Sequence, residues 1–332
     1  MTGTTAGTAG ASGASGTTGA ASAGAASAGA TWTERTLVRD SGPGGEGVRL
    51  SLRDWGGGGT GRSLLLLHGL AGHAGEWDGV ARRLRADGHR VVALDQRGHG
   101  ASERHPKDVS RAAYVADILA VLDHLGLTDT VLVGQSYGGH AALLTAAATA
   151  HRGHPPPTAH RGRPAATGHH RRLAGAVLVE AGPGGADPAV LAGVGDWLRA
   201  WPVPFPSRDA AVAHLGGGPV GEGWADGLEE RDGGLWPRFD PEIMIASLAE
   251  NAGRARWEEW AAIDVPVLAV LGQNGIIPAE EYDEMSRLLP GLRGACVPGT
   301  GHDLHLERPG VLYDLIDGFL SETPCAGVDF NT

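Results

Sequence analysis

Short, continuous apolar runs recur along most of this chain, separated by longer stretches in which apolar residues return every three or four positions. The runs at 63–67, 90–94, 130–133, 174–179, 265–271 and 294–297 have the length of strands buried on both faces. Residues 114–125 carry Val115, Ile118, Leu119, Leu122 and Leu125 on one side, which predicts an amphipathic helix. The segments 80–86, 139–150 (rich in Ala) and 311–320 read as further helices. Ahead of them, 36–39 and 48–53 read as a strand pair joined through Ser41-Gly42-Pro43-Gly44-Gly45. The alternation predicts an α/β fold with a mostly parallel, doubly wound sheet covered by helices on both faces. In such sheets ligands bind beyond the C-terminal strand ends.

Residues 183–262 break this alternation and hold six of the nine tryptophans. Inserted between two sheet strands, the segment predicts a mainly helical cap lying over the strand ends. Most of these tryptophans are expected to form the cap's own small core. Trp197, Trp201 and Trp224 are the candidates for lining an apolar substrate pocket.

Composition removes three stretches from the folded part. Residues 1–31 are only Met, Thr, Gly, Ala and Ser, too little apolar bulk to offset the entropy of ordering, so a disordered tail is expected. Residues 151–172 hold five His and five Arg without an acid, but Pro155-Pro156-Pro157 prevents a helix that would align the imidazoles. A flexible insertion is expected there, not a metal site. Residues 323–332 are expected to be a C-terminal tail. Without the first two stretches about 280 residues remain, enough for one large domain, with core at 32–182 and 263–322.

The net charge of −11 argues against nucleic-acid binding, which needs a basic face. No apolar run reaches the length of a membrane span, and the N-terminus lacks the basic start and apolar run of a secretory signal. Cys296 and Cys325 are the only cysteines, which fits a reducing cytoplasm better than a disulfide framework.

The chemistry concentrates after the 130–133 run, at Gly134-Gln135-Ser136-Tyr137-Gly138. A serine between two glycines, where a strand turns into a helix, is the nucleophile-elbow pattern: the sharp turn crowds the backbone and thrusts the hydroxyl into a cleft. A serine nucleophile needs a base, an orienting acid and an oxyanion site. His302 in Pro298-Gly299-Thr300-Gly301-His302-Asp303 lies on a glycine-rich loop after the last strand and is the candidate base. The oxyanion site is expected from the backbone N–H of Tyr137 and that of Leu70, in His68-Gly69-Leu70-Ala71-Gly72. His68 is expected to brace this loop, and His305 to make a helix or cap contact.

His68-Gly69, Asp95-Gln96-Arg97-Gly98-His99-Gly100, the elbow at 134–138 and Gly301-His302 together resemble the α/β-hydrolase superfamily, in its serine-nucleophile form with a cap. The resemblance covers about 36–322 and implies that the Asp95–Gly100 motif shapes a turn. It also exposes a departure. Many members carry an acid in a G-x-x-D segment after the penultimate strand, and here Gly275 stands at that place in Gly272-Gln273-Asn274-Gly275. Some relatives carry the acid at the end of the strand after the elbow helix, where this chain has Glu180. A carboxylate ending an apolar strand needs a partner, and His302 would be that partner. Asp303, Glu280 and Asp283 are the alternatives.

These residues suit a serine hydrolase of small, largely apolar esters, lactones or thioesters, needing neither cofactor nor metal. The same scaffold also carries C–C bond hydrolysis and cofactor-free haloperoxidation. A non-catalytic ligand-binding protein, motivated by Gly275, and an interaction protein working through 151–172 are the readings from other classes.

Overall fold

Strand β1 (Thr33–Arg39) pairs antiparallel with β2 (Val48–Gly56), Thr33 opposite Asp54 and Arg39 opposite Val48. Then β3 (Ser63–Leu67), β4 (Arg90–Asp95), β5 (Thr130–Gln135), β6 (Leu173–Val179), and two short strands β7 (Glu229–Arg231) and β8 (Gly234–Trp236) follow, with β9 (Val267–Gly272) and β10 (Arg293–Val297) completing the series. This computed structural model describes residues 32–39, 47–57, 61–150 and 172–323. The tail expected at 1–31, positions 151–171 of the insertion and 324–332 of the C-terminal tail lie outside the described residues.

Eight strands form one sheet in the order β1-β2-β4-β3-β5-β6-β9-β10. Pairing is antiparallel for β1–β2 and β2–β4 and parallel elsewhere. The chain steps from β3 outward to β4, then crosses back over β3 to place β5 on its other side. That reversal opens a crevice beyond the C-terminal ends of β3 and β5, where doubly wound sheets bind ligands.

The apolar strands divide residue by residue between two cores, because successive side chains face opposite sides of a sheet. Leu65, Leu67, Val92, Leu94, Leu132 and Leu178 enter one core, while Leu64, Leu66, Val91, Ala93, Val131 and Val177 enter the other. Helices α2 (Arg111–His124) and α3 (Ser136–Thr149) cover the first face, and α1 (Asp78–Ala86) the second. Ser110 caps α2 by accepting from the Ala113 N–H at 3.3 Å.

Between β6 and β9 lie α4 (Pro188–Arg199), α5 (Arg208–His214), α6 (Gly218–Ala225), α7 (Pro241–Ala249) and α8 (Trp257–Ala261), together with the β7–β8 hairpin. The hairpin turns through Asp232 (φ 47°) and Gly233 (φ 80°), the left-handed pair that tight hairpins require. After β9 come α9 (Ala279–Leu288), α10 (Leu304–Glu307) and α11 (Pro309–Glu322), and α11 joins the second core through Leu312, Ile316 and Phe319. Helix α9, for which no element was expected, buries Met285 and packs Tyr282 and Leu288 against the first core, a short apolar stripe on an otherwise acidic helix. Thr323, assigned to the tail by composition, is buried: its hydroxyl donates to the Phe319 carbonyl at 2.7 Å and its own carbonyl accepts from Arg62. Among the described residues no helix is long and apolar enough to cross a membrane.

Candidate active site

Strand β5 runs into α3 without an intervening loop, so the whole change of direction falls on Ser136, which adopts φ 48°. A non-glycine residue in this left-handed region costs on the order of 1–3 kcal/mol and is retained only where the surroundings impose it. The surroundings are its glycine neighbours. A Cβ on Gly134 would overlap the Gly138 carbonyl, and one on Gly138 would overlap the carbonyls of Leu67 and His68. A Cβ on Gly139 would fall 2.5 Å from that of Ala181. Starting three residues earlier than the expected 139, α3 is packed against the ends of both neighbouring strands. The glycines, poor helix formers by themselves, hide that start from the sequence.

His302 lies in the loop between β10 and α10, a third exposed. Its Nδ1 is 3.5 Å from Oε2 of Glu180, which has no exposed side-chain surface. Among the described residues Glu180 is the acid paired with His302; Glu280 and Asp283 are exposed on α9. The Glu180 carboxylate accepts from the backbone N–H groups of Gly272 and Ile276, each at 2.6 Å. Like Ser136, Glu180 is left-handed (φ 51°), so the chain kinks where β6 ends and aims the carboxylate sideways across β9. A Cβ at Gly275 would occupy the same volume as that carboxylate.

On its other side the imidazole meets Gln135. The Gln135 amide nitrogen donates to the His302 carbonyl at 3.0 Å and lies 3.4 Å from its Nε2. A donor near Nε2 and a carboxylate facing Nδ1 favour the tautomer with its proton on Nδ1 and Nε2 as the acceptor. The Gly301 N–H donates to Glu307 Oε1 at 2.9 Å, which pins the loop from behind.

The loop after β3 borders the elbow directly: a Cβ on Gly69 would stand 3.7 Å from that of Ser136. Ala71 is the third non-glycine residue with positive φ at a strand end around the crevice, at 58°. His68 is fully buried, with Nδ1 2.7 Å from the Gly69 carbonyl and Nε2 accepting from the Gln96 N–H at 3.0 Å. Burial holds its pKa down near 3, so it is a neutral brace. Asp95 ties the turn together by accepting from the N–H groups of Ala74 at 2.7 Å and Ala101 at 2.9 Å. Behind the loop, Glu76 accepts from the His73 N–H at 3.3 Å and faces His305 Nε2, also at 3.3 Å. Burial raises the Glu76 carboxyl to about 7 and lowers the His305 imidazole to about 4.

Trp197, Trp201 and Trp224 meet as an edge-to-face trio with centroids 5.3–5.9 Å apart. Trp201 packs on to Phe205 and Phe239 in a core that also takes in Ala71 and the edge of Leu70. Trp201 and the partly buried Trp224 thus belong to an aromatic core that reaches the loop after β3, while Trp197, 42% exposed, rests on them from outside. Gln135, Glu76 and the pairing of Gly275 with Glu180 escaped the sequence reading, since each is defined only by a partner far along the chain.

The model of the alpha/beta hydrolase family matches residues 64–315. The sn-1-specific diacylglycerol lipase ABHD11 of Mus musculus is 25% identical over 280 residues, which are 78% of this chain and 81% of that one. Esterase YbfF of Escherichia coli (strain K12) is 25% identical over 266 residues, covering 78% and 93%. The crystal structure of E-2-(acetamidomethylene)succinate hydrolase superposes with a TM-score of 0.72 at 22% identity, over 87% of this chain and 99% of that one. This chain belongs to the alpha/beta hydrolase family, and a hydrolase acting on ester bonds is the activity its relatives support.

Proposed function

We propose that this alpha/beta hydrolase cleaves small, largely apolar esters, lactones or thioesters through an acyl-enzyme on Ser136. The observation that carries this reading is the bracketing of His302 between Glu180 at Nδ1 and the elbow residue Gln135 at Nε2. With Nε2 free to accept, His302 takes the proton of Ser136 Oγ as the oxygen attacks the substrate carbonyl. The imidazolium then carries its Nδ1–H against the Glu180 carboxylate, a contact that shortens as charge develops. The N–H groups of Leu70 and Tyr137 are assigned to the tetrahedral oxyanion, one from the β3 loop and one from the start of α3. His302 next protonates the leaving group and activates water for deacylation. The residues between β6 and β9 act as a cap over this site, and the tryptophan trio with Leu70 supplies its apolar wall.

The Gly275 departure, which favoured a protein without turnover, is consistent with an acid moved to Glu180. A fluorophosphonate probe tests the nucleophile: labelling of the wild type that disappears in Ser136→Ala supports it. Equal labelling of the variant, or none of the wild type, refutes it.

A further inference from the structure

Three basic side chains meet beside the elbow on the helical side of the cleft. Arg111 opens α2, His140 lies one turn beyond Ser136 on α3, and Arg256 caps α8. They are 3%, 6% and 6% exposed. Side chains on a helix lean toward its N-terminus, so His140 lies back over the turn that begins with Ser136. The Arg111 guanidinium is stacked 3.6 Å from the ring centre of Tyr137, the residue after the nucleophile. Arg256 is fixed to the strand end that carries Glu180, its N–H donating to the Pro183 carbonyl at 2.7 Å.

Their hydrogen bonding is incomplete. Arg111 donates Nε to Asn251 Oδ1 at 3.1 Å, but both its Nη atoms lack an acceptor among the described residues. Arg256 donates Nη1 to Glu259 at 3.2 Å, with its Nε unpartnered. His140 Nδ1 is also unpartnered, and burial beside the two arginines keeps this imidazole neutral. The stack on Tyr137 offsets part of the cost of burying that guanidinium. With four N–H bonds unmet, desolvation outweighs what the stack returns. Glu259, one-third exposed, pairs with Arg256, and the exposed Glu250 acts on Arg111 only through its charge, with no hydrogen bond to the Nη atoms. The group that completes this cluster is an anion with oxygen acceptors, and a carboxylate matches the guanidinium fork.

We propose that Arg111, His140 and Arg256 form a subsite for a carboxylate on the substrate, so that the preferred substrates are esters or lactones with an apolar body ending in a carboxylate. This rests on the Ser136 hydrolase reading and narrows it. Asn251, which accepts from Arg111 Nε, lies on the α7–α8 connection that borders the cluster.

The test compares the full chain on p-nitrophenyl butanoate and on the mono-p-nitrophenyl esters of succinate, glutarate and adipate. One member of the acidic series is expected to exceed the neutral ester in kcat/KM by at least about tenfold, the worth of one charge-assisted hydrogen bond. Arg111→Met is expected to collapse that ratio, and Arg111→Lys to restore part of it. In a Ser136→Ala background, glutarate should raise the melting temperature, whereas inorganic phosphate at equal ionic strength should raise it less. Neutral esters hydrolysed as well as every acidic one would overturn the subsite while leaving the hydrolase standing. So would an Arg111→Met protein with an unchanged ratio. Loss of fluorophosphonate labelling would instead strike the underlying reading.

Discussion

The carboxylate of Glu180 fills the volume that a side chain at Gly275 would need. The two positions belong to different strand ends and contend for one place beside His302. With Glu180 reaching across from β6, the backbone at 275 must pass bare, and the neighbouring N–H groups of Gly272 and Ile276 bind the carboxylate. Gly275→Ala should therefore push the acid off its seat. A displacement of an ångström costs about 10²-fold in rate, and steady-state ester hydrolysis reads it. Glu180→Ala/Gly275→Asp should recover part of the activity lost in Glu180→Ala alone.

Glu180→Gln keeps the shape but not the charge. One of the two backbone donors loses its acceptor, costing about 1–3 kcal/mol of stability, and the imidazolium loses its counter-ion. Turnover should fall by about 10³–10⁴ with KM little changed, the loss found when an orienting acid of a serine triad is made an amide. Activity within a factor of a few of wild type would exclude Glu180 as the orienting acid.

Gly138→Ala sets two effects against each other. Replacing glycine inside a helix gains about 1 kcal/mol. At 138, however, the new methyl meets the carbonyls of Leu67 and His68, and backbone cannot swing aside. Overpacking costs about 1–3 kcal/mol, so the variant should be less stable and should also misplace Ser136. Urea unfolding and labelling rate report the two losses separately.

Acid stability should be governed by groups of opposite sign. Burial lowers the pKa of His68 and of His99 from 6.5 to about 3. The stability they support is complete above pH 6.5 and is lost as pH falls toward 3, at up to about 1.4 kcal/mol per pH unit each. Glu76 works the other way. Its raised pKa means that its contribution is full below 4.5 and disappears as pH rises through about 7. Glu76→Gln removes that compensation, so urea midpoints between pH 7 and pH 5 should fall more steeply in the variant than in wild type.

Much of this protein was legible in its linear pattern. The strand runs are apolar throughout because both faces of the sheet are covered, and Val131, Leu132 and Val133 alternate between two cores that are equally dry. The elbow was legible because its glycine and serine positions are local, Gly134, Ser136 and Gly138 within one turn, although what crowds Gly138 is the distant end of β3. His302 was legible from its place after the last strand. Helix α9 was harder to read, since its stripe of Tyr282, Met285 and Leu288 is short and set among acidic residues.

By itself, then, the sequence determined the alternation of strands and helices, the turn that exposes Ser136 and the loop that carries His302, because each follows from steric and solvation preferences of neighbouring residues. Tertiary structure alone decided what surrounds them. Glu180 meets Gly272 across 92 positions, Gln135 meets His302 across 167, and Arg111 meets Asn251 across 140. Such contacts depend on which strand ends the sheet order brings side by side. A carboxylate, an amide or a guanidinium gains its role there from the groups that desolvate and face it, which no local period records.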